Sequence, residues 1–144
     1  MSLERAKAYL AEYGRDGDVL EFDVSSATAE LAAAAVGCAP ERIAKTLSFT
    51  VGDRVALVVC AGDAHIANPK FKERIGHAVG GVCPFGVKDG CDVYFDESLR
   101  RFDTVYPACG SSNSAIALAP DELTEVVPSG VWVDVCKLPA EEQS

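Results

Sequence analysis

The run Arg54-Val55-Ala56-Leu57-Val58-Val59-Cys60-Ala61 constrains the fold more than any other stretch. An alternating strand can lie on a surface with its polar side in water. A run that is apolar at almost every position needs cover on both faces, so it predicts a central strand inside a layered structure. Gly52-Asp53, just before it, reads as a two-residue hairpin turn. That turn pairs the run with a strand from about Ala44 to Val51, itself fed by a single turn at Pro40-Glu41-Arg42.

The other segments fit around that hairpin. Leu3, Ala6, Leu10 and Tyr13 recur at helical spacing, predicting a helix from Ser2 to Tyr13 that Gly14 and Gly17 end. Val19 to Asp23 alternates as a short strand with Leu20 and Phe22 on one face. Thr28 caps an alanine-rich helix closed by Gly37. Such a helix is thin on its inner side and must pack close to a sheet. Asn68-Pro69 starts a further helix bearing Lys70, Lys72 and Arg74. Strands follow at Cys91–Phe95, Ala115–Leu118 and Val131–Val135, with Thr104–Tyr106 extended, a turn capped by Asp96, and a helix from Pro120 to Val126. Short strands with a few flanking helices predict one α+β domain over residues 1–144, built on a mixed, partly barrel-like sheet.

At 144 residues, 49% hydrophobic and 24% charged, the chain can bury a real core. No apolar run reaches the roughly 18 residues of a membrane span, and the N-terminus has no secretory pattern. A cytoplasmic location is therefore expected. The six cysteines are scattered without a Cys-x-x-Cys pair, which favours reduced thiols over a disulfide framework. His65 and His77 are the only histidines, and no ligand pair has finger-like spacing, so no metal is expected. A net charge of −9 argues against extensive contact with a nucleic-acid backbone, DNA included. It leaves room for a partner gripped at one end.

Chemistry concentrates in Gly80-Gly81-Val82-Cys83-Pro84-Phe85-Gly86. This stretch cannot form a regular helix or an interior strand. Either it is an ordinary turn, or the N–H groups of Gly81, Val82 and Cys83, just before the stiff Pro84 corner, hold an anion or a developing oxyanion. Lys45 is a second oddity, because it leads the apolar face of its strand with Leu47, Phe49 and Val51. It either snorkels from the strand's end or aims an ammonium into a pocket. Asp134, between Val133 and Val135, is a surface-facing strand residue or a carboxylate placed for a role. Cys83 with His77 as its base would make a thiol nucleophile, yet nothing in the sequence brings the two together. Ser111 and Ser112 lack partners for a triad.

Three stretches taken together carry a resemblance. They are Glu41-Arg42-Ile43-Ala44-Lys45-Thr46-Leu47-Ser48-Phe49, then Gly80 to Gly86, then Val105-Tyr106-Pro107-Ala108-Cys109-Gly110 through Leu118-Ala119-Pro120-Asp121-Glu122-Leu123. In this order they resemble the YbaK/EbsC family, freestanding relatives of the editing domain inserted in bacterial prolyl-tRNA synthetases. The likeness covers nearly the whole chain. It implies a trans-acting hydrolase of the ester joining a wrong amino acid to tRNA, with mischarged tRNA for proline as first substrate and no metal or cofactor. A synthetase is a further implied partner, and a membrane is not. Lys45 matches the family's key lysine, and Gly80 to Pro84 matches its glycine-x-x-x-proline loop, whose amides are taken to hold the ester. Asp134 matches an acidic position on the last strand; Phe22, Thr46 and Gly110 join as substrate-binding positions.

Two departures stand out. Between Lys72 and Ile75 the family usually has a longer segment, and Ala108 stands where relatives can carry a serine. The same fold as a non-catalytic aminoacyl-tRNA or amino-acid binding module is therefore the competing reading.

Overall fold

The computed structural model describes residues 3–24, 28–66, 77–81, 84–86, 90–111 and 113–138. Helix α1 (Leu3–Ala11) buries Ala6 and Leu10, one turn apart on one face. Strand β1 (Val19–Glu21) follows. Helix α2 (Ala29–Val36) is capped at one end by the Thr28 hydroxyl, which accepts the Leu31 N–H. Gly37 closes the other end in the left-handed conformation, φ 85°, donating its N–H to the Ala33 carbonyl. Buried Ala32 and Ala33 pack with Ile43, so the small residues do bring this helix close to the sheet.

The hairpin forms as its turn residues dictate. Strands β2 (Ile43–Val51) and β3 (Arg54–Ala61) are antiparallel and close with Val51 opposite Arg54 across Gly52, φ 63°. From Leu57 to Ala61 no residue of β3 is more than 2% exposed, as a strand covered on both faces requires. Strand β4 (His65–Ile66) comes next in the chain, then the edge strand β5 (His77–Gly81), antiparallel to β2. Strand β6 (Cys91–Asp96) runs parallel to β3. Strand β7 (Tyr106–Pro107) is parallel to β2, and β8 (Ser114–Ile116) pairs with β1. Helix α3 (Pro120–Val126), β9 (Val131–Val133) beside β6, and β10 (Cys136–Lys137) paired with β4 complete the order.

Among the described residues the main sheet is mixed and follows an open path, β5-β2-β3-β6-β9, with β7 against β2; it is not a closed barrel. The core lies between this sheet and the helices, with Leu10, Phe85, Phe95, Leu99, Ile116 and Leu123 fully buried. The start of α3 is fastened by Glu122, whose carboxylate accepts the Ala119 N–H and the Arg15 guanidinium. Its end accepts the Tyr9 hydroxyl at the Val126 carbonyl. No described helix is long and apolar enough to cross a membrane.

Three segments differ from the sequence expectation. Gly80 and Gly81 are the last two residues of an extended strand instead of the start of a loop. An edge strand needs partners on one side only, so glycines are tolerated there as they would not be at the centre. β1 stops at Glu21: the Phe22 N–H still meets the Asn113 carbonyl in register, but the Phe22 carbonyl takes the Asn113 side-chain amide; Leu20 is 41% exposed. β9 stops at Val133, because the buried Val135 N–H donates to the Asp96 carboxylate instead of a sheet neighbour. The expected helix from Asn68 lies outside the described residues.

Candidate functional site

Lys45 stands on β2 directly opposite Cys60 of β3, in a sheet whose interior excludes water there: Cys60 is fully buried. The lysine is half-buried, and its Nζ lies 3.5 Å from the Gly62 carbonyl oxygen. That is a long contact for an ammonium, enough to orient it while leaving donors for another oxygen. The carbonyl is held in place. The Ala61 N–H donates to the buried Ser98 hydroxyl at 3.1 Å, and the Ala64 N–H closes the turn on the Ala61 carbonyl at 3.0 Å. Gly62 has no room for a side chain, since a Cβ there would fall 2.1 Å from the Pro40 carbonyl oxygen. Glycine is needed here for close backbone approach.

The glycine-rich stretch comes to the same end of the sheet. Gly81 pairs with Leu47 and Gly80 with Ser48, two to three residues along β2 from Lys45. Two strand residues span roughly 7 Å. The register shifts between Ser48 and Phe49, leaving Val79 without a partner on β2, and such bulges re-aim the strand end beyond them. Pro84 is buried. Val82 and Cys83, which carry two of the expected amides and the alternative thiol, lie outside the described residues. So do Lys70, Lys72 and Arg74, and the side chain of His77.

β7 brings the third stretch in. Pro107 pairs with Ala44, the neighbour of Lys45, so the loop carrying Gly110 (φ 85°) starts beside the lysine's end of β2. That loop also reaches Phe22, which is half-buried: Asn113 accepts the Phe22 N–H at 2.7 Å and donates its side-chain amide to the Phe22 carbonyl at 3.0 Å. Thr46 is buried, 8% exposed, and strand alternation turns it to the face opposite Lys45. Asp134 is exposed, just past the end of β9. Lys45, Gly80–Gly81 and the start of the Gly110 loop are thus brought together, while Thr46 does not share the lysine's face.

None of the described cysteines 38, 60, 91, 109 and 136 is in a disulfide. Cys136 is held protonated well above the ordinary thiol range, first by its hydrogen bond with Cys60 and then by burial. Burial also pushes Cys38 upward. Neither is an activated nucleophile, for which a lowered pKa is the mark. The sequence did not reveal Gly62 as the lysine's acceptor, nor that Arg101 pairs with Asp63 on the same turn. The one available signal was a Gly-Asp pair ending an apolar strand, which marks a turn without saying what the turn holds.

A protein with this mixed α+β sheet, a lysine leading a buried strand and a glycine-rich edge beside it belongs to the aminoacyl-tRNA editing domain family, whose model matches residues 23–78 and 70–126. A Bacillus subtilis relative, the uncharacterized protein YwhH, is 50% identical over 154 aligned positions covering 95% of this chain and 98% of that one. An alignment of 154 positions exceeds the 144 residues of the chain, so it requires gaps in this sequence. The two family matches overlap at 70–78, where the sequence reads as shortened. Among solved structures, a putative trans-editing enzyme for prolyl tRNA synthetase superposes with TM-score 0.80 at 26% identity, covering 94% of this chain and 96% of the other. The hypothetical protein APE2540 shares the fold, with TM-score 0.76 at 24% identity over 92% and 99% of the two chains.

Proposed function

We propose that this protein is a trans-acting aminoacyl-tRNA deacylase that hydrolyses the ester of mischarged tRNA, tRNA for proline first. The observation that carries the reading is the half-buried Lys45 ammonium, oriented by the Gly62 carbonyl, at the end of the sheet where Gly81 closes β5. The editing family and the prolyl trans-editing neighbour support it.

An aminoacyl ester is already activated, so the protein need only position it and stabilise the charge that develops. Water adds to the ester carbonyl carbon, the carbonyl oxygen becomes an oxyanion, and collapse expels the ribose oxygen, which takes up a proton. The products are the free amino acid and tRNA with its terminal hydroxyl restored. Amides of Gly81, Val82 and Cys83 would serve the oxyanion, each worth on the order of 3 kcal/mol when well aimed. Lys45 would hold the terminal phosphate or ribose. With no side-chain base assigned, a substrate hydroxyl or an ordered water carries the proton. Phe22, Gly80, Pro84 and Gly110 would border the aminoacyl group, and Asp134, exposed beyond β9, would meet it only from the rim. Such an enzyme works in the cytoplasm.

The test is a deacylation assay on alanyl-, cysteinyl- and seryl-tRNA for proline, with correctly charged prolyl-tRNA as control. Release from at least one mischarged species, lost in Lys45→Ala, is the expected result. The gaps against YwhH favour a second reading, a binding module of the same fold that holds aminoacyl-tRNA without turnover. Tight binding of charged tRNA with no release above the spontaneous rate would establish that reading instead.

A further inference from the structure

The turn that carries the Gly62 carbonyl also carries a carboxylate, that of Asp63. Covalent geometry puts the Asp63 Cα roughly 3 Å from the Gly62 oxygen, and that oxygen is 3.5 Å from the Lys45 ammonium. The Asp63 Cα is therefore no more than roughly 6.5 Å from the ammonium, within the span of an aspartate side chain plus one hydrogen bond. A charge-assisted bond is roughly twice as strong as a neutral one, so an unrestrained carboxylate would displace the carbonyl as the lysine's partner. Asp63 is restrained instead. Arg101 binds both its oxygens, Nη1 on Oδ2 at 3.1 Å and Nη2 on Oδ1. The guanidinium is fixed in turn by its Nε, which donates to the Ser98 carbonyl at 2.9 Å, and by lying 4.7 Å over the Phe102 ring. The two side chains are 20% and 31% exposed, so water screens the pair only in part.

We infer that Arg101 is a positioning residue for Lys45: its two-point grip holds the Asp63 carboxylate away, so that the ammonium meets a neutral carbonyl and stays available to an oxygen of the substrate. The inference rests on the deacylase reading of Lys45. A lone lysine would offer the same contact less well, because it cannot engage both carboxylate oxygens in a fixed plane. The contacts span more than thirty positions of sequence, |i−j| 38 between Arg101 and Asp63.

The experiment compares the full-length wild type with Arg101→Met, Asp63→Asn and the double variant. Arg101→Met is expected to lose about tenfold or more in kcat/KM on the mischarged tRNA that the wild type cleaves. Asp63→Asn stays within about twofold of wild type, and adding it to Arg101→Met restores activity to within about threefold. A purely structural clamp predicts the opposite, with Asp63→Asn as harmful as Arg101→Met and no rescue; that result overturns the inference, as does a silent Arg101→Met. Should Arg101→Met unfold, Arg101→Lys carries the test: a partial loss restored by Asp63→Asn supports the inference, and no loss or no restoration overturns it. Acetylation of Lys45 by an amine-selective reagent, followed by peptide mass spectrometry, gives a readout without tRNA. It should slow in Arg101→Met and recover in the double variant. If the wild type deacylates nothing, the proposed function fails while the acetylation pattern still decides the role of Arg101.

Discussion

The Nζ of Lys45 stands 3.5 Å from the carbonyl oxygen of Gly62, on a turn wedged against Pro40 so closely that no side chain fits. An ammonium held by a neutral carbonyl keeps its full charge for another partner. Lys45→Ala should therefore abolish deacylation, by on the order of a hundredfold or more, because electrostatic stabilisation in a partly dry site is lost. The melting temperature should barely move, since the contact given up is one long hydrogen bond at a half-buried position. Parallel kinetics and thermal melts check this; a variant that melts many degrees lower would make Lys45 a structural residue.

Gly62→Ala probes the other side of that pair. The new Cβ would meet the Pro40 oxygen at 2.1 Å and the Ala29 Cβ at 3.3 Å, and the nearer obstacle is backbone. Something must shift, and overpacking of this kind costs about 1–3 kcal/mol. For a chain of this length the melting temperature should drop by roughly 3–10 °C. Activity at a temperature well below the melt should fall too, because the shifting turn takes the lysine's acceptor with it. Unchanged melting would mean that the turn relaxes without strain.

These two residues divide what the sequence reveals from what it does not. Lys45 was legible because it breaks the apolar face of an otherwise regular strand. The hairpin was legible because an apolar run and a glycine turn lie side by side in the chain. Gly62's restriction comes from the backbone of Pro40, and Arg101 reaches Asp63 across 38 positions, so no local pattern encodes either. Asp134 misled for a related reason: alternation places it within a strand, but Asp96 captures the next N–H and ends that strand early. The strands and the one hairpin were readable from periodicity and a turn; the other pairings, and the side chains that end the strands, were not.

Glu122 should make stability sensitive to acid. Its carboxylate titrates below the ordinary 4.5, first because it accepts the Ala119 N–H and then because Arg15 binds it. A carboxylate with a depressed folded pKa stabilises fully above its unfolded value and loses that contribution as pH falls through the folded one. Glu122→Gln should thus melt below wild type near neutral pH, and the gap should close as the pH drops below about 4.5. Asp92 and Asp103, lowered by Arg54 and Arg42, titrate in both proteins and cancel in the comparison. A gap that stays constant from about pH 7 to about pH 3 would remove Glu122 from the acid response.

Salt dependence addresses how a chain of net charge −9 handles tRNA. Each phosphate neutralised by a lysine or arginine releases counterions, so the slope of log K against log salt is about −0.7 to −0.9 per contact. Many of the arginines here already hold carboxylates: Arg15, Arg42, Arg54, Arg100 and Arg101 all have acidic partners. Lys7 holds Glu21 as well, so at most seven of the 13 lysines and arginines, Lys45 among them, are left for a backbone. A grip on the terminal nucleotides alone engages two or three phosphates, for a slope near −2. Titrating charged tRNA between low and physiological salt measures it. A slope near −6 would require a broad cationic face, which the acidic balance of this chain argues against, and would move the docking surface away from the lysine.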